Sequence, residues 1–381
     1  MQRSTGRVAL LMNATVDHTG THKANSRQLK AFLELEGYQV DVYSIQSQSD
    51  LAKFVEAIHK TRYEFVHCEQ GHFLGLSLND ENLFEKLQIP VFSQLRDHWF
   101  YPWVWKNLKA LPAQATIFHT SELILGIKDR LSGTHHHTMH TSQLAKQRVN
   151  MDAALPLRIF YSGSCRSVED ARAGVEGLVE QKLIDRILEE TIDAIEIPRW
   201  MWGLTLSTDD EVELNGWTLS LVAHYRLFEL ARTRVRANIL DVLSQFQATM
   251  FVKGGWVPPK NAVSKFSKEP ISFEHSNYLS SRADYVFSDQ ATFREEVGER
   301  VVTALDAGQR VIARQNDFLE RDTFYGQADS LYLYGTISDL KDTLSLVYEN
   351  GSTVVKPGKQ RPLNFSIQDY VASMIKKSSS R

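Results

Sequence analysis

Short apolar runs alternate with longer amphipathic stretches along the whole chain, the pattern of fully buried strands followed by helices buried on one face. Residues 7–12 (RVALLM) predict a first strand, and residues 13–22 a polar loop with Gly20 inside it. Leu29, Phe32, Leu33 and Leu35 give one apolar side to a helix over about residues 24–36, which Gly37 closes. A strand over 38–43, a helix over 50–59 and a strand over 63–67 follow, then a helix near 81–87 and strands over 89–92 and 115–118. Repeated β-α-β units of this length predict a doubly wound parallel sheet. Four of its strands run into polar loops, carrying His18 and His22, Glu69 and His72, Asp97 and His98, and His119 and Glu122. Strand ends in one parallel sheet lie side by side, so these groups are expected along one edge.

The pattern restarts after a boundary near residues 150–156. A strand over 157–161 leads into the small-residue loop 162–167 (SGSCRS), whose amides suit an anion and whose Arg166 is long enough to reach a diphosphate. Residues 168–245 read as largely helical, broken at Pro198, at 208–210 and at Asn215 and Gly216, with Arg232, Arg234 and Arg236 on a basic face that reads as solvated, a shared ligand edge being its alternative. A strand over 248–252 ends in Lys253, Gly254, Gly255 and Trp256. Another over 285–287 enters a loop of Ser288, Asp289 and Gln290. Glu299, Arg300, Val301, Val302 and Leu305 then predict a helix ended by Gly308, before a strand over 310–313. A last helix over about 367–377 carries Tyr370, Val371 and Ile375. The fold class expected is α/β with two Rossmann-like domains facing across a cleft, over residues 1–153 and 154–365, with 366–381 as a terminal helix and tail.

Composition narrows the partners. At 381 residues the chain is long for one core. A net charge of −3 and a pI near 6.5 give no general attraction to nucleic acid or anionic membranes. No apolar run is long enough to span a membrane, and the first residues carry too short an apolar stretch for a signal peptide, so a cytoplasmic protein is expected. Cys68 and Cys165 stand far apart without a CxxC spacing, as expected of reduced, buried thiols.

The segment RVVTALDAG, Arg300 to Gly308, with its following apolar strand, resembles the donor-binding segment of GT-B glycosyltransferases of the spore-maturation and flagellin-glycosylation type, roughly R-V-x-E-A-x-A-x-G. The family's glutamate is Thr303 here. In retaining relatives two glutamates eight positions apart hold the nucleotide-sugar, and Glu295 and Thr303 fall on those positions; a threonine keeps hydrogen bonding but not the carboxylate. The loop carrying Ser164 and Arg166, and the strand ending Lys253-Gly-Gly-Trp256, resemble family segments that face the donor. The resemblance implies a nucleotide-sugar substrate, held by Ser164, Arg166, Lys253, Glu295, Arg300 and Thr303. It implies no cofactor and no metal, since positive side chains and helix dipoles stabilise the departing diphosphate. The acceptor is left open among a glycan, a protein and a lipid-linked sugar.

The resemblance extends to a D-H-P-like turn, here Asp97, His98 and Trp99, which makes Asp97 the expected base with His98 beside it. Its alternative reading is a turn cap. His18, Glu69, His72 and His119 are the further acceptor-side candidates. Residues 135–140 (HHHTMH) lack the carboxylate of an HExxH site and read as an exposed loop, suited to contact with a donor or acceptor across the cleft rather than to a metal centre. Two competing functions stay open: a catalytically degenerate nucleotide-sugar-binding protein, motivated by Thr303, and a nucleotide-sugar epimerase.

Overall fold

The computed structural model describes residues 6–17, 20–120, 122–124, 126–137, 157–208, 210–291, 298–316, 319, 330–349 and 367–378. The chain divides into two compact units, Met1–Ala145 with Asn364–Arg381, and Lys146–Leu363.

The first unit holds β1 (Arg7–Asn13), α1 (Thr21–Leu35), β2 (Gln39–Ile45), α2 (Gln48–Lys60) and β3 (Phe65–Cys68). A small hairpin of β4 (Ser77–Leu78) and β5 (Glu81–Asn82) leads to α3 (Leu83–Leu87), β6 (Val91–Gln94), α4 (Pro102–Leu108), β7 (Ala115–His119) and β8 (Thr134–His137). Its six-stranded sheet has the order β2-β1-β3-β6-β7-β8, every pairing parallel. Residues 134–137, expected as exposed loop, are thus an edge strand, and His140 lies outside the described residues. The aromatic run is mostly core: Trp99, Phe100, Tyr101 and Trp105 are buried, while Trp103 is 44% exposed.

The second unit runs β9 (Leu157–Ser164), α5 (Val168–Ala173), α6 (Gln181–Glu190), β10 (Leu204–Leu206), β11 (Glu211–Leu214), β12 (Trp217–Ser220), α7 (Leu221–Leu243) and β13 (Ala248–Lys253). It continues through β14 (Lys265–Ser267), α8 (Phe273–Arg282), β15 (Ala283–Ser288), α9 (Glu299–Asp306), β16 (Arg310–Arg314), β17 (Leu331–Tyr334) and α10 (Ile337–Glu349). The large sheet is again six-stranded and parallel, in the order β14-β13-β9-β15-β16-β17. Counting only the strands of this sheet, the order is 3-2-1-4-5-6, that of a dinucleotide-binding Rossmann sheet. Two Rossmann-like sheets in one α/β chain are therefore the observed fold class.

One expectation fails within the crossover from β9 to β13. Residues 204–220 form an antiparallel three-stranded sheet, not a broken helix. Val212 and Leu214 are buried while Glu211 and Glu213 face solvent, and Asn215 and Gly216 both take positive φ (51° and 83°) in the two-residue turn. That turn geometry matches strand twist and is the preferred closure of a hairpin.

The last helix, α11 (Ile367–Ser378), belongs to the first unit. Its Tyr370, Val371 and Met374 enter a core with Val8, Leu10, Leu29, Leu33 and Phe65, and the Tyr370 hydroxyl pairs with His67 Nε2 at 2.8 Å. Among the described residues no helix is long and apolar enough to cross a membrane.

Candidate functional site

In an open parallel sheet, ligands bind outside the carboxyl ends of the strands where the strand order reverses. The first unit reverses between β1 and β3. β1 ends at Asn13, and past β3 a tight turn in which Gln70 takes φ 56° brings up Glu69 and His72. Helix α1 starts on the same edge, with Asp17 accepting from the His22 and Lys23 amides at 3.1 and 3.0 Å.

These elements gather one polar cluster. The Glu69 carboxylate, 4% exposed, accepts from Asn25 Nδ2 at 2.8 Å and pairs with His22 Nδ1 at 3.3 Å. Asn13 Nδ2 lies 3.4 Å from His72 Nδ1, and the His22 and His72 rings stand edge to face with centroids 6.3 Å apart. Burial works against a charge on His22, but the contact and charge of Glu69 outweigh it and raise its pKa. Burial also opposes ionisation of Glu69, yet His22, Arg96 and Asn25 together hold its pKa below the ordinary value. His72 goes the other way, to about 4, through burial and the neighbouring His22 charge, and burial takes His67 to about 4. One imidazole is thus poised to carry a proton and its neighbour to refuse one.

An unfolded chain protonates His67 and His72 near pH 6.5, while the folded chain refuses both until about pH 4. Stability from these two groups is complete above pH 6.5 and is expected to fall as pH drops toward 4, by roughly 3 kcal/mol per imidazole at most. His22 runs opposite: its contribution is full below pH 6.5 and is lost as pH rises through its raised pKa. Urea melts at pH 7 and pH 4.5 check this, and equal midpoints would contradict it.

The other acceptor-side residues stand nearby or elsewhere. Asp97 is half-buried just past β6, the strand beside β3. His98, 2% exposed, stacks on Phe100 with centroids 5.0 Å apart and planes at 12°, as core packing rather than an open group. His119 ends β7, 4% exposed, with Nδ1 2.8 Å from the Thr120 carbonyl. His18 lies outside the described residues. Along the chain His22 is one of a loop's two histidines with no local mark of a site, because its partner Glu69 is remote in sequence.

The second unit reverses between β9 and β15, and the two strand ends are tied together by buried charge. Asp289, just past β15, accepts from Arg236 Nη2 at 3.0 Å and from the Tyr161 hydroxyl at 2.7 Å, and Arg236 Nε lies 2.8 Å from it. The same guanidinium donates to the Ser164 carbonyl at the end of β9 at 2.7 Å. Burial opposes the charge on Asp289, but Arg236 above all, with Arg300 and Tyr161, holds the carboxyl well below the usual range. The expectation of a solvated basic face on α7 is therefore wrong for Arg236, whose side chain is only 11% exposed and is bonded into the frame of the sheet.

The neighbouring strand closes on the same loop. Lys253 pairs in register with Ser164, the Cys165 amide donates to the Lys253 carbonyl at 2.9 Å, and the Trp256 amide donates to the Cys165 carbonyl at 3.1 Å. Gly254 takes φ 119°, and a Cβ there would collide with the Cys165 carbonyl. Two glycines are what let the β13 end lie flat against the residue 164–167 loop.

Around this frame Ser164, Arg166, Lys253 and Arg300 are all exposed. The Arg300 guanidinium lies 5.7 Å from the Tyr161 ring centroid at the start of α9. Thr303 is buried in α9, 9% exposed, with Val301, Val302 and Leu305. Glu295 lies outside the described residues. So Ser164, Arg166, Lys253 and Arg300 stand at strand ends and a helix start on the carboxyl side of the second sheet, Thr303 faces inward one turn along α9, and the first-unit candidates belong to a separate unit. Among the described residues no group of three or more His, Cys, Asp or Glu side chains has a metal-binding arrangement.

Neither a family model nor a curated protein matches the sequence. Similar solved structures include a glycosyltransferase from Rickettsia africae, 9% identical over 99% of both chains with a TM-score of 0.49. A sucrose-phosphate synthase from Thermosynechococcus elongatus is 12% identical over 98% of both chains, with a TM-score of 0.47. The UDP-GlcNAc 2-epimerase from Methanocaldococcus jannaschii is 12% identical over 99% of this chain and 100% of its own, with a TM-score of 0.37. At these scores the functional reading rests on the chain's own residues.

Proposed function

We propose that the chain is a glycosyltransferase of the GT-B kind that holds a nucleotide-sugar at the switch point of its second unit. The carrying observation is the rim past β9, β13 and β15, where Asp289 is already neutralised by Arg236. Arg166, Lys253 and Arg300 stand exposed there without an ion-pair partner among the described residues. Three exposed cations and loop amides suit a diphosphate, and their charge favours its departure as the glycosidic bond breaks. That arrangement supports a metal-independent transfer.

The acceptor hydroxyl loses a proton, and of the acceptor-side groups we assign it to the His22–Glu69 pair, whose Nδ1 and carboxylate lie 3.3 Å apart. A carboxylate near Nδ1 favours a proton on that nitrogen and leaves Nε2 as proton acceptor. Asp97 is the competing base; Asp97→Asn leaves turnover unchanged if His22 takes the proton and reduces it sharply if Asp97 does. The epimerase reading draws on the same paired groups, which could serve a single substrate as acid and base.

Incubation with a panel of nucleotide-sugars separates the readings. Release of nucleoside diphosphate with free or transferred sugar, persisting in excess chelator, is the expected result. An isomerised nucleotide-sugar would make it an epimerase. Binding without turnover across donors and acceptors would make it a binding protein.

A further inference from the structure

The first sheet ends on an open edge. Among the described residues β2 pairs with β1 alone, whereas in the second sheet β13, which flanks β9 as β2 flanks β1, is itself covered by β14. Register tells which backbone groups that edge presents. The Gln39 amide donates to the Gly6 carbonyl at 2.9 Å, and the Ala14 amide donates to the Ile45 carbonyl at 3.0 Å. In a parallel ladder that parity turns the N–H and C=O of Gln39, Asp41, Tyr43 and Ile45 toward β1, and those of Val40, Val42 and Ser44 away from it. A row of such groups is a template for another strand, and no proline or glycine in QVDVYSI interrupts it.

An open cleft of about 720 Å³ follows this edge. Val42, 41% exposed, lines it together with Lys30 of α1 and Lys53 and Lys60 of α2. The lining cations, Arg7 and these three lysines, outnumber the lining carboxylates, Asp41 and Glu56. Asp41 is already held, by Arg7 Nε at 2.7 Å and by the Tyr63 hydroxyl at 2.8 Å. The lysines meet carboxylates of their own helices, Lys30 with Glu34 at 3.6 Å, Lys53 with Asp50 at 3.4 Å and Lys60 with Glu56. Exposed pairs of this kind are weak, so an incoming carboxylate can share the lysines.

We propose that the β2 edge docks an extended, acidic segment of a partner protein, which adds to the first sheet as a further strand. Main-chain bonds to Val40, Val42 and Ser44 supply affinity, and acidic side chains reaching Lys30, Lys53 and Lys60 supply selectivity. A second copy of the chain fits the edge less well. Helix α2 packs on β2, and α1 on β1 and β2. Pairing β2 with its twin at the strand spacing of about 4.8 Å would press these helices against those of the other copy, which need about 8–10 Å between axes. A lone extended segment brings no helices with it. The proposal is independent of the nucleotide-sugar reading.

The test titrates the full chain with a short synthetic peptide alternating glutamate and valine, and with its lysine–valine counterpart. The acidic peptide is expected to bind one-to-one and to slow hydrogen exchange at the amides of Val40, Val42 and Ser44, with the basic peptide weaker by about tenfold or more. Val42→Pro removes an outward amide that makes no bond to β1, and should weaken the acidic peptide by about tenfold or more. Lys53→Glu with Lys60→Glu, both on the exposed side of α2, should do the same and serves if the proline variant folds poorly. Absence of binding, equal binding of the two peptides, or binding that these variants leave unchanged would overturn the proposal. So would sedimentation of the wild type as a dimer that Val42→Pro dissociates, since a second copy would then own the edge.

Discussion

Asp289→Asn is expected to lower the unfolding free energy by about 3–5 kcal/mol, the cost of leaving a buried charge without its partner. Asp289 is 3% exposed and is met by Arg236, by the Tyr161 hydroxyl and by the Ala291 amide at 3.0 Å. Asparagine keeps the shape but removes the negative charge, so Arg236 remains buried beside neutral groups. The loss reaches beyond stability, because the same guanidinium ties the β15 loop to the β9 carbonyl terminus across the switch point. Diphosphate affinity should therefore fall with stability, although Asp289 touches no ligand in this account. Replacing both partners, Arg236→Met with Asp289→Leu, should cost less than either single change, since an apolar pair leaves no charge stranded. Denaturant melts of the three variants decide it, and a double variant as unstable as the sum of the singles would contradict a pairwise tie.

Glu69→Gln is expected to reduce turnover by about two orders of magnitude or more while leaving diphosphate affinity unchanged. The carboxylate raises the pKa of His22 and orients its ring, and glutamine does neither fully. In the wild type, turnover should rise with pH as His22 loses its proton, through a pKa above 6.5. In the variant that limb should move to lower pH as its height falls. A merely structural Glu69 would lower the height and leave the limb in place.

Much of the fold was legible because it is locally encoded. Buried parallel strands announce themselves as apolar runs, and Gly37 and Gly308, with φ of 91° and 76°, mark helix ends where the sequence placed them. The β11–β12 hairpin was readable too, from the alternation in EVEL and the Asn215-Gly216 turn, but the helical residues on both sides hid it. The site was legible in part. Ser164, Arg166, Lys253 and Arg300 declare themselves by standing at strand ends and at a helix start, which is a local property. The groups that organise them do not. Arg236 sits in a run of alternating arginines that looks solvated, and only the fold brings it to Asp289, a loop residue with no local mark. His22 and Glu69 likewise meet only through the fold, being 47 residues apart in sequence.

The central claim is that the exposed cations at the second switch point hold a nucleoside diphosphate. Calorimetric titration of the full chain with nucleoside diphosphates in chelator, repeated on Arg166→Ala, tests it most directly. Saturable one-to-one binding of at least one diphosphate, weakened about tenfold or more by the loss of Arg166, is the predicted result. No binding by the folded wild-type chain, or binding that Arg166→Ala leaves unchanged, would contradict it.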